Sequence, residues 1–307
     1  MAIRNVALIG ANGNVGTEIL AALAAVPDFR VTVVKRESSA SAIPASLASK
    51  GISVASVDDS LSLESLKKAF AGQDAVIAAM PLKDPAQHLR VADAAAASGV
   101  KRVIPADFGS CDSDSARAQE LVPLFKNKAD VRARLQGHAA VNPEFAWTSL
   151  VCGHLFDWGL RENFLHFDLK NRTADIIDDG SYKSSTATLG RVAEAVVEVL
   201  KGDVDATKNK VLFMQSFCVS QNDVLASLEK ATGQKWKVNY CESEQFIKEH
   251  KAKADAGDKQ AIEDLVFALG ALDGNWEGRE NFAMDLLGLK NEDLDEVVKR
   301  VVDEPRV

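Results

Sequence analysis

Long apolar runs, basic clusters and paired cysteines are all missing from this 307-residue chain. No stretch approaches the roughly 20 apolar residues that a membrane-spanning helix needs, so no membrane partner is expected. No long basic run occurs, and the net charge is −8. The acidic excess lies in residues 242–307, which carry 17 acidic and 9 basic side chains, whereas residues 1–241 carry 27 of each. That balance argues against nucleic acids and other polyanions as partners and reads as a solvated helical surface. The four cysteines, Cys111, Cys152, Cys218 and Cys241, stand far apart, so there is no C-x-x-C motif and no metal is expected. Scattered thiols fit a reducing, cytoplasmic compartment, with each cysteine a small buried hydrophobe. The N-terminus runs directly into a short apolar segment, Ile3–Ile9, broken by glycine too early for a secretory signal. The sequon Asn171-Arg172-Thr173 therefore has no secretory context.

What is present is ordinary globular composition, with 47% hydrophobic and 26% charged residues. The length suits one large domain or two small ones. In the first half, short apolar runs alternate with helical segments. Strands are expected over Ile3–Ile9, Arg30–Val34, Ile52–Val57, Ala75–Met80, Arg102–Pro105 and Phe145–Val151. Helices are expected over Asn14–Val26, Leu61–Ala71, Pro85–Ser98 and Leu121–Leu135. Six buried strands joined by helices predict an α/β fold with a doubly wound parallel sheet of the Rossmann type. After residue 152 the periodicity loosens. Gly153–Asp179 is rich in aromatics, Thr188–Leu200 is an amphipathic helix, Val211–Val219 and Lys235–Tyr240 read as strands, and residues 243–302 read as mostly helical around a loop at Gly270–Gly278. The expected division is a cofactor domain over residues 1–152 and a smaller α/β substrate domain over 153–307. Segments near 188–232 are expected to return to the first domain.

The strongest local motif is Gly10-Ala11-Asn12-Gly13-Asn14-Val15-Gly16. It leaves a predicted strand and opens a predicted helix, the context in which spaced glycines bind a dinucleotide pyrophosphate. Gly10 would allow the turn, Gly13 the approach of phosphate, and Gly16 close packing of helix on sheet. No Gly-Lys-Ser/Thr follows, so a P-loop is excluded. At the end of the second strand stands Arg36, where an NAD-specific fold would place a carboxylate. A guanidinium there predicts NADP(H), with Lys35 adding charge and Ser38 a hydrogen bond to a 2′-phosphate. The competing reading is a surface arginine paired with Glu37.

Only two tyrosines occur, Tyr182 and Tyr240, and the fourth residues beyond them are Thr186 and Glu244. The Tyr-x-x-x-Lys mechanism of common short-chain dehydrogenases is therefore unavailable. Asp107-Phe108-Gly109 copies a kinase triplet, but no H-R-D accompanies it.

The chain resembles the atypical short-chain dehydrogenases of the isoflavone reductase group, which includes phenylcoumaran benzylic ether reductases and pinoresinol–lariciresinol reductases within the NmrA-like superfamily. The resemblance rests on Gly10–Gly16, Arg36-Glu37-Ser38, Val100–Gly109 and Phe125-x-x-Lys128-x-x-Val131-Arg132. It implies that Lys128 is the proton-transfer residue and lies beside the nicotinamide. Without the resemblance Lys128 would read as a solvated helix lysine. The cofactor set implied by position is completed by Met80 and Pro81 after the fourth strand, Asp107 and Phe108 after the fifth, and Gly153 after the sixth. His154, Phe156, Trp158 and Phe164 are candidates to line an aromatic-tolerant pocket, although aromatic runs more often form core. The resulting expectation is hydride delivery from NADPH to a small aromatic substrate by a monomer or homodimer. In the resembled reductases the lysine deprotonates a phenol. Two rivals stand beside this reading: a dinucleotide sensor of the NmrA type without turnover, and a non-redox enzyme that uses bound NADP(H). Ser110–Gln119, the region after Gly153 and Trp276–Asn281 depart from the plant pattern, so plant substrates do not carry over.

Overall fold

In the computed structural model, which describes residues 3–304, strands and helices alternate as the apolar spacing predicts. The first half runs β1 (Asn5–Ile9), α1 (Asn14–Ala25), β2 (Arg30–Arg36), β3 (Ser53–Val57), α2 (Leu63–Phe70), β4 (Ala75–Ala78), α3 (Pro85–Ala97), β5 (Arg102–Ile104), α4 (Ala116–Leu121), α5 (Pro123–Val141) and β6 (Ala146–Val151). The expected helix at Leu121–Leu135 is α5, which starts at Pro123 and runs on to Val141, and Leu121 instead ends a separate helix, α4. Pro123 cannot continue a helix but suits the first position of a new one, so Val122 closes α4 and opens α5.

The second half continues with β7 (His154–Leu155), α6 (Phe156–Arg161), β8 (Phe167–Asp168), β9 (Thr173–Ile177), β10 (Lys183–Ala187), α7 (Leu189–Lys201), α8 (Val204–Thr207), β11 (Lys210–Phe213) and β12 (Phe217–Ser220). It ends with α9 (Gln221–Thr232), β13 (Lys237–Cys241), α10 (Ser243–Asp255), α11 (Lys259–Asp273) and α12 (Leu294–Asp303). The single strand expected over Val211–Val219 is two. Met214 N–H still bonds the Val151 carbonyl, but Ser216 N–H bonds the Thr186 carbonyl, so the chain steps from one sheet to another within three residues.

The main sheet has the order β11-β6-β5-β4-β1-β2-β3, and every neighbouring pair is parallel. Six strands follow the doubly wound order, and β11 adds a seventh beyond β6. Period-2 alternation in β1 divides the core. Val6 and Leu8 face Ile19, Leu20 and Leu23 of α1 with Val192 and Val196 of α7. Ala7 and Ile9 face Leu66 and Phe70 of α2 with Val91 of α3 and Leu135 of α5. Strands covered on both faces are apolar throughout, which is why β4 reads Ala-Val-Ile-Ala.

Two smaller three-stranded sheets, β12-β10-β7 and β13-β9-β8, carry the second half. Of the segment at 188–232, α7 and β11 pack on the main sheet, whereas β12 pairs with β10 and α9 packs on α12. A short bridge from Phe213 to Phe282 brings the C-terminal segment back to β11.

In the second half, His166 Nδ1 lies 3.6 Å from Asp175 and Nε2 lies 3.3 Å from Asp264. Asp264 also holds His250 at 3.2 Å. Burial alone would push the His166 imidazole down, but its bonds to Asp175 and Asp264 outweigh burial and hold it above the ordinary value of 6.5. Its stabilisation is therefore complete below that value and lost as pH rises through the raised one. Burial pushes the Asp264 carboxyl up, but its contacts with His166 and Gln260 outweigh that and hold it below 3.8. Its share is lost as pH falls through that lowered range. His166→Gln should lower Tm most near pH 5.5–6 (about one unit below the free imidazole value), with the deficit shrinking toward pH 9. A deficit that does not change with pH would refute this account.

Candidate active site

The chain passes from β1 to β2 on one side and reaches β4 on the other side of β1, so the loops after β1 and β4 diverge and open a crevice at the carboxyl edge. Three glycines shape its floor. Gly10 has φ +87°, and a Cβ there would lie 2.6 Å from the Ala79 carbonyl carbon. A Cβ on Gly16 would strike the Gly10 carbonyl. Both positions are therefore fixed by backbone-to-backbone approach. Gly13 differs: its φ is −81°, and a Cβ would meet only ordinary contacts at 3.5 and 3.7 Å. Nothing inside the chain requires glycine at residue 13. As the N-cap of α1, Gly13 offers no side-chain acceptor, and Asn12, Gly13 and Asn14 are exposed with Val15 half-buried.

Arg36 ends β2 at the rim of this crevice and is exposed. Its Nη2 donates to Gln87 Oε1 at 2.8 Å, joining the end of β2 to the start of α3. Among the described residues no ion pair joins Arg36 to Glu37 or to any other carboxylate. The other two members of the expected phosphate set are engaged elsewhere. Lys35 Nζ donates to the carbonyls of Ser39 and Ser41, which fixes the loop after β2. Ser38 Oγ donates to Asp59 at 2.6 Å.

The loop after β5 carries the densest charge chemistry in the crevice. Asp107 is 2% exposed, and an unpaired carboxylate at that depth would cost several kcal/mol. Arg132 Nε and Ser149 Oγ both donate to its Oδ2, and Ser113 Oγ donates to Oδ1 at 3.2 Å. Its carboxylate is thus fully engaged within the protein. Arg132, also 2% exposed, donates further to Asp112 at 3.1 Å and Asp114 at 3.0 Å. Burial alone would lower the guanidinium, but Asp107 and Asp112 outweigh it and hold Arg132 firmly charged. Burial likewise pushes Asp112 up, yet bonds from Asp114 N–H and Arg132 bring it below the usual carboxylate range.

Lys128 lies one helical turn before Arg132 on the same face of α5 and is 8% exposed. Its Nζ donates to the backbone carbonyl of Asp107 at 3.1 Å and sits 5.7 Å from the Phe125 ring centroid. Among the described residues no carboxylate pairs with it, and the Asp107 carbonyl is its one hydrogen-bond acceptor. A Cβ on Gly109 would lie 2.9 Å from Nζ, so glycine there lets the lysine reach its acceptor. Nearby, burial pushes the Cys111 and Cys152 thiols up to about 12, so both are inert. His88, buried on α3, has Nε2 3.3 Å from the Pro81 carbonyl, and burial pushes its imidazole down.

The remaining candidates divide. Met80 is half-buried, Pro81 is exposed, and Phe108 is half-buried against the α1 face of the core. Gly153 has φ +72°, and a Cβ there would strike the Ser185 carbonyl, so the approach of β10 accounts for that glycine. His154 packs between Phe164 and Phe267 at centroid distances of 5.8 and 5.9 Å, and burial drives it down to about 4, leaving it neutral. Phe156 is fully buried edge-on to Phe217, and Trp158 packs half-buried on Phe164. His154 and Ser110 both reach the Val266 carbonyl, at 3.4 and 3.3 Å, which ties this aromatic group to the Lys128 loop. A cleft of about 510 Å³ beside Leu160, Asn163 and Val301 does not include Lys128 in its lining. Sequence reasoning missed Ser113, Ser149 and Asp112 as parts of this network, because polar residues on strands and loops carry no periodic signal.

The chain belongs to the NmrA-like family, whose model matches residues 3–275. Among curated proteins it is similar to the oxidoreductase aprR of Aspergillus flavus, with 32% identity over 97% of this chain and 98% of that one. Among solved structures, its fold matches an isoflavone reductase at TM-score 0.80 and 20% identity, covering 97% of this chain and 99% of that one. It also matches AtPrR2 with NADP+ and (+)pinoresinol at TM-score 0.77 and 20% identity, over 98% and 99% of the two chains.

Arg132→Met leaves Asp107 buried without its counter-charge. Urea unfolding should show a loss of about 3–5 kcal/mol. Asp114→Asn, at a carboxylate 63% exposed, should cost under about 1 kcal/mol. Equal losses from the two substitutions would contradict the network.

Proposed function

We propose that this chain is an NADPH-dependent reductase of a small aromatic molecule, with residues 1–152 holding the cofactor and 153–307 covering the substrate. The carrying observation is the buried Lys128 ammonium without a carboxylate partner at the carboxyl edge of the sheet. The names of the relatives support the same reading, since one is an oxidoreductase and one solved fold-mate was captured with NADP+ and an aromatic ligand.

The residues present fit this cofactor. The open face of Gly13 at the start of α1 leaves room for phosphate where the fold itself would tolerate a side chain, and the helix N-terminus favours the negative charge. Among the described residues Arg36 is held only by the neutral Gln87, so its guanidinium is available to a 2′-phosphate. Asp59 beside Ser38 opposes a phosphate there, so the affinity for the third phosphate rests on Arg36. Met80, Pro81 and Phe108 border the crevice on the side of the reacting ring.

Bound NADPH supplies the hydride. Lys128 holds and moves the proton: as the ammonium it stabilises negative charge developing on a substrate oxygen, and as the neutral amine it accepts the proton of a phenol. Its fixed bond to Asp107 orients one donor and leaves the others for the ligand. His154, neutral and stacked in its aromatic group, shapes the pocket wall and does not exchange protons near neutral pH.

Titration of purified protein with NADPH and NADH, followed by NADPH oxidation with aromatic ketones, enones and phenolic ethers, tests the reading. Arg36→Ala should weaken NADPH by about 10–100-fold and leave NADH unchanged. Lys128→Ala should keep NADPH affinity and lose about 10²–10⁴-fold in turnover. Gly13→Ala should keep Tm but lose NADPH, whereas Gly16→Ala should lower Tm. Tight NADPH binding with no turnover on any substrate would replace the reductase by a dinucleotide sensor.

A further inference from the structure

From the C-terminal segment that departs from the plant pattern, Arg279 reaches the loop after β5. Arg279 Nη1 donates to Asp112 Oδ2 at 3.0 Å, while Asp112 Oδ1 accepts from Arg132. The Arg279 guanidinium lies over two rings, with its Cζ 4.6 Å from the Phe213 centroid and 5.1 Å from that of Trp276. Trp276 is fully buried, and its backbone N–H donates to Ser185 Oγ at 3.0 Å. Phe213 ends β11 and bridges to Phe282. Arg279 is therefore anchored on the aromatic edge of the main sheet, and its charge is directed at the loop after β5.

Read in order, the contacts form one chain of alternating charge. Arg279 holds Asp112, Asp112 and Asp107 share Arg132, and the Asp107 carbonyl is the acceptor for Lys128. Each link fixes the next group's position. The helix that follows this loop, α4, is tied to α11 by the pair Arg117–Asp273 at 3.1 Å. That pair lies on the rim, with its side chains 50% and 36% exposed, and contributes little. Asp112 is only 22% exposed and bonds two guanidinium groups, so its link is the stronger one.

We propose that Arg279 and Asp112 are positioning residues for Lys128, so that the C-terminal segment sets the geometry of the proton-transfer group from outside the crevice. This rests on the reading of Lys128 given above. A displacement of about 1 Å at a reacting group costs up to about 10²-fold in rate, so a shift of the loop is felt in turnover before it is felt in stability.

The test uses two readouts on the full-length chain. Reductive methylation with ¹³C-formaldehyde labels lysines, and the Lys128 signal is the one absent from Lys128→Arg. In Arg279→Ala and Asp112→Asn that signal should move or broaden, with Tm within about 4 °C of wild type. Arg279→Lys, which keeps a cation near Asp112, should recover most of the wild-type position. With whichever aromatic substrate the wild type reduces, Arg279→Ala should lose about tenfold in kcat, with NADPH affinity within about twofold. An unmoved Lys128 signal in two folded variants overturns the inference, whether or not the protein is a reductase. If the signal moves but Lys128→Ala turns over normally, the positioning stands and the reductase reading fails. If Arg279→Ala weakens NADPH as much as it lowers kcat, Arg279 serves the fold in general and the proposal is wrong.

Discussion

A carboxylate with 2% exposure cannot stand alone, and the pairing of Asp107 with Arg132 is the constraint on which the crevice depends. Arg132 and Lys128 share one face of α5, four residues apart, and both engage the same residue of the loop after β5. One binds the carboxylate and the other the carbonyl. The ion pair therefore fixes a peptide group, and that peptide group fixes an ammonium that no carboxylate neutralises. A charge that would be costly on its own becomes the scaffold for another charge left available to a ligand.

The crevice also separates two uses of glycine and two uses of cations. Gly10 and Gly16 answer to the backbone of the chain itself, while a Cβ at Gly13 would meet only ordinary contacts. Lys35 holds its own loop and Arg36 projects from it, although the two residues are adjacent and carry the same charge. In each case the partner atoms decide the role.

This contrast marks what the sequence alone makes legible. The alternation of β1 and the glycine spacing follow from local rules, so the main sheet and the crevice can be read from strand and helix periods. Lys128 cannot be told from Lys126 by pattern; only the resemblance singled it out, and burial separates them, since Lys126 is exposed and pairs with Asp130. Lys35 and Ser38 look like phosphate ligands in sequence because the loop carbonyls and Asp59 that engage them lie several residues away. Gly153 looks like a cofactor contact because the approach of β10, 32 residues on, leaves no local trace. The aromatic run after Gly153 is mostly packing, as its lack of period suggests, and the split of β11 from β12 depends on a change of partner that no propensity records.

One face of the main sheet is closed by α7, which packs on α1 through Val192 and Val196. That helix begins at Leu189, long after β6 is complete. During synthesis the first six strands therefore leave the ribosome with Ile19, Leu20 and Leu23 partly uncovered, and β6 with an open edge until Lys210–Phe213 arrives. The glycine loop and the Lys128 helix are made early, but the surface that keeps them soluble is made late. For this chain the order of translation and the order of burial are different, and the nascent half depends on whatever shields apolar surface in the interval.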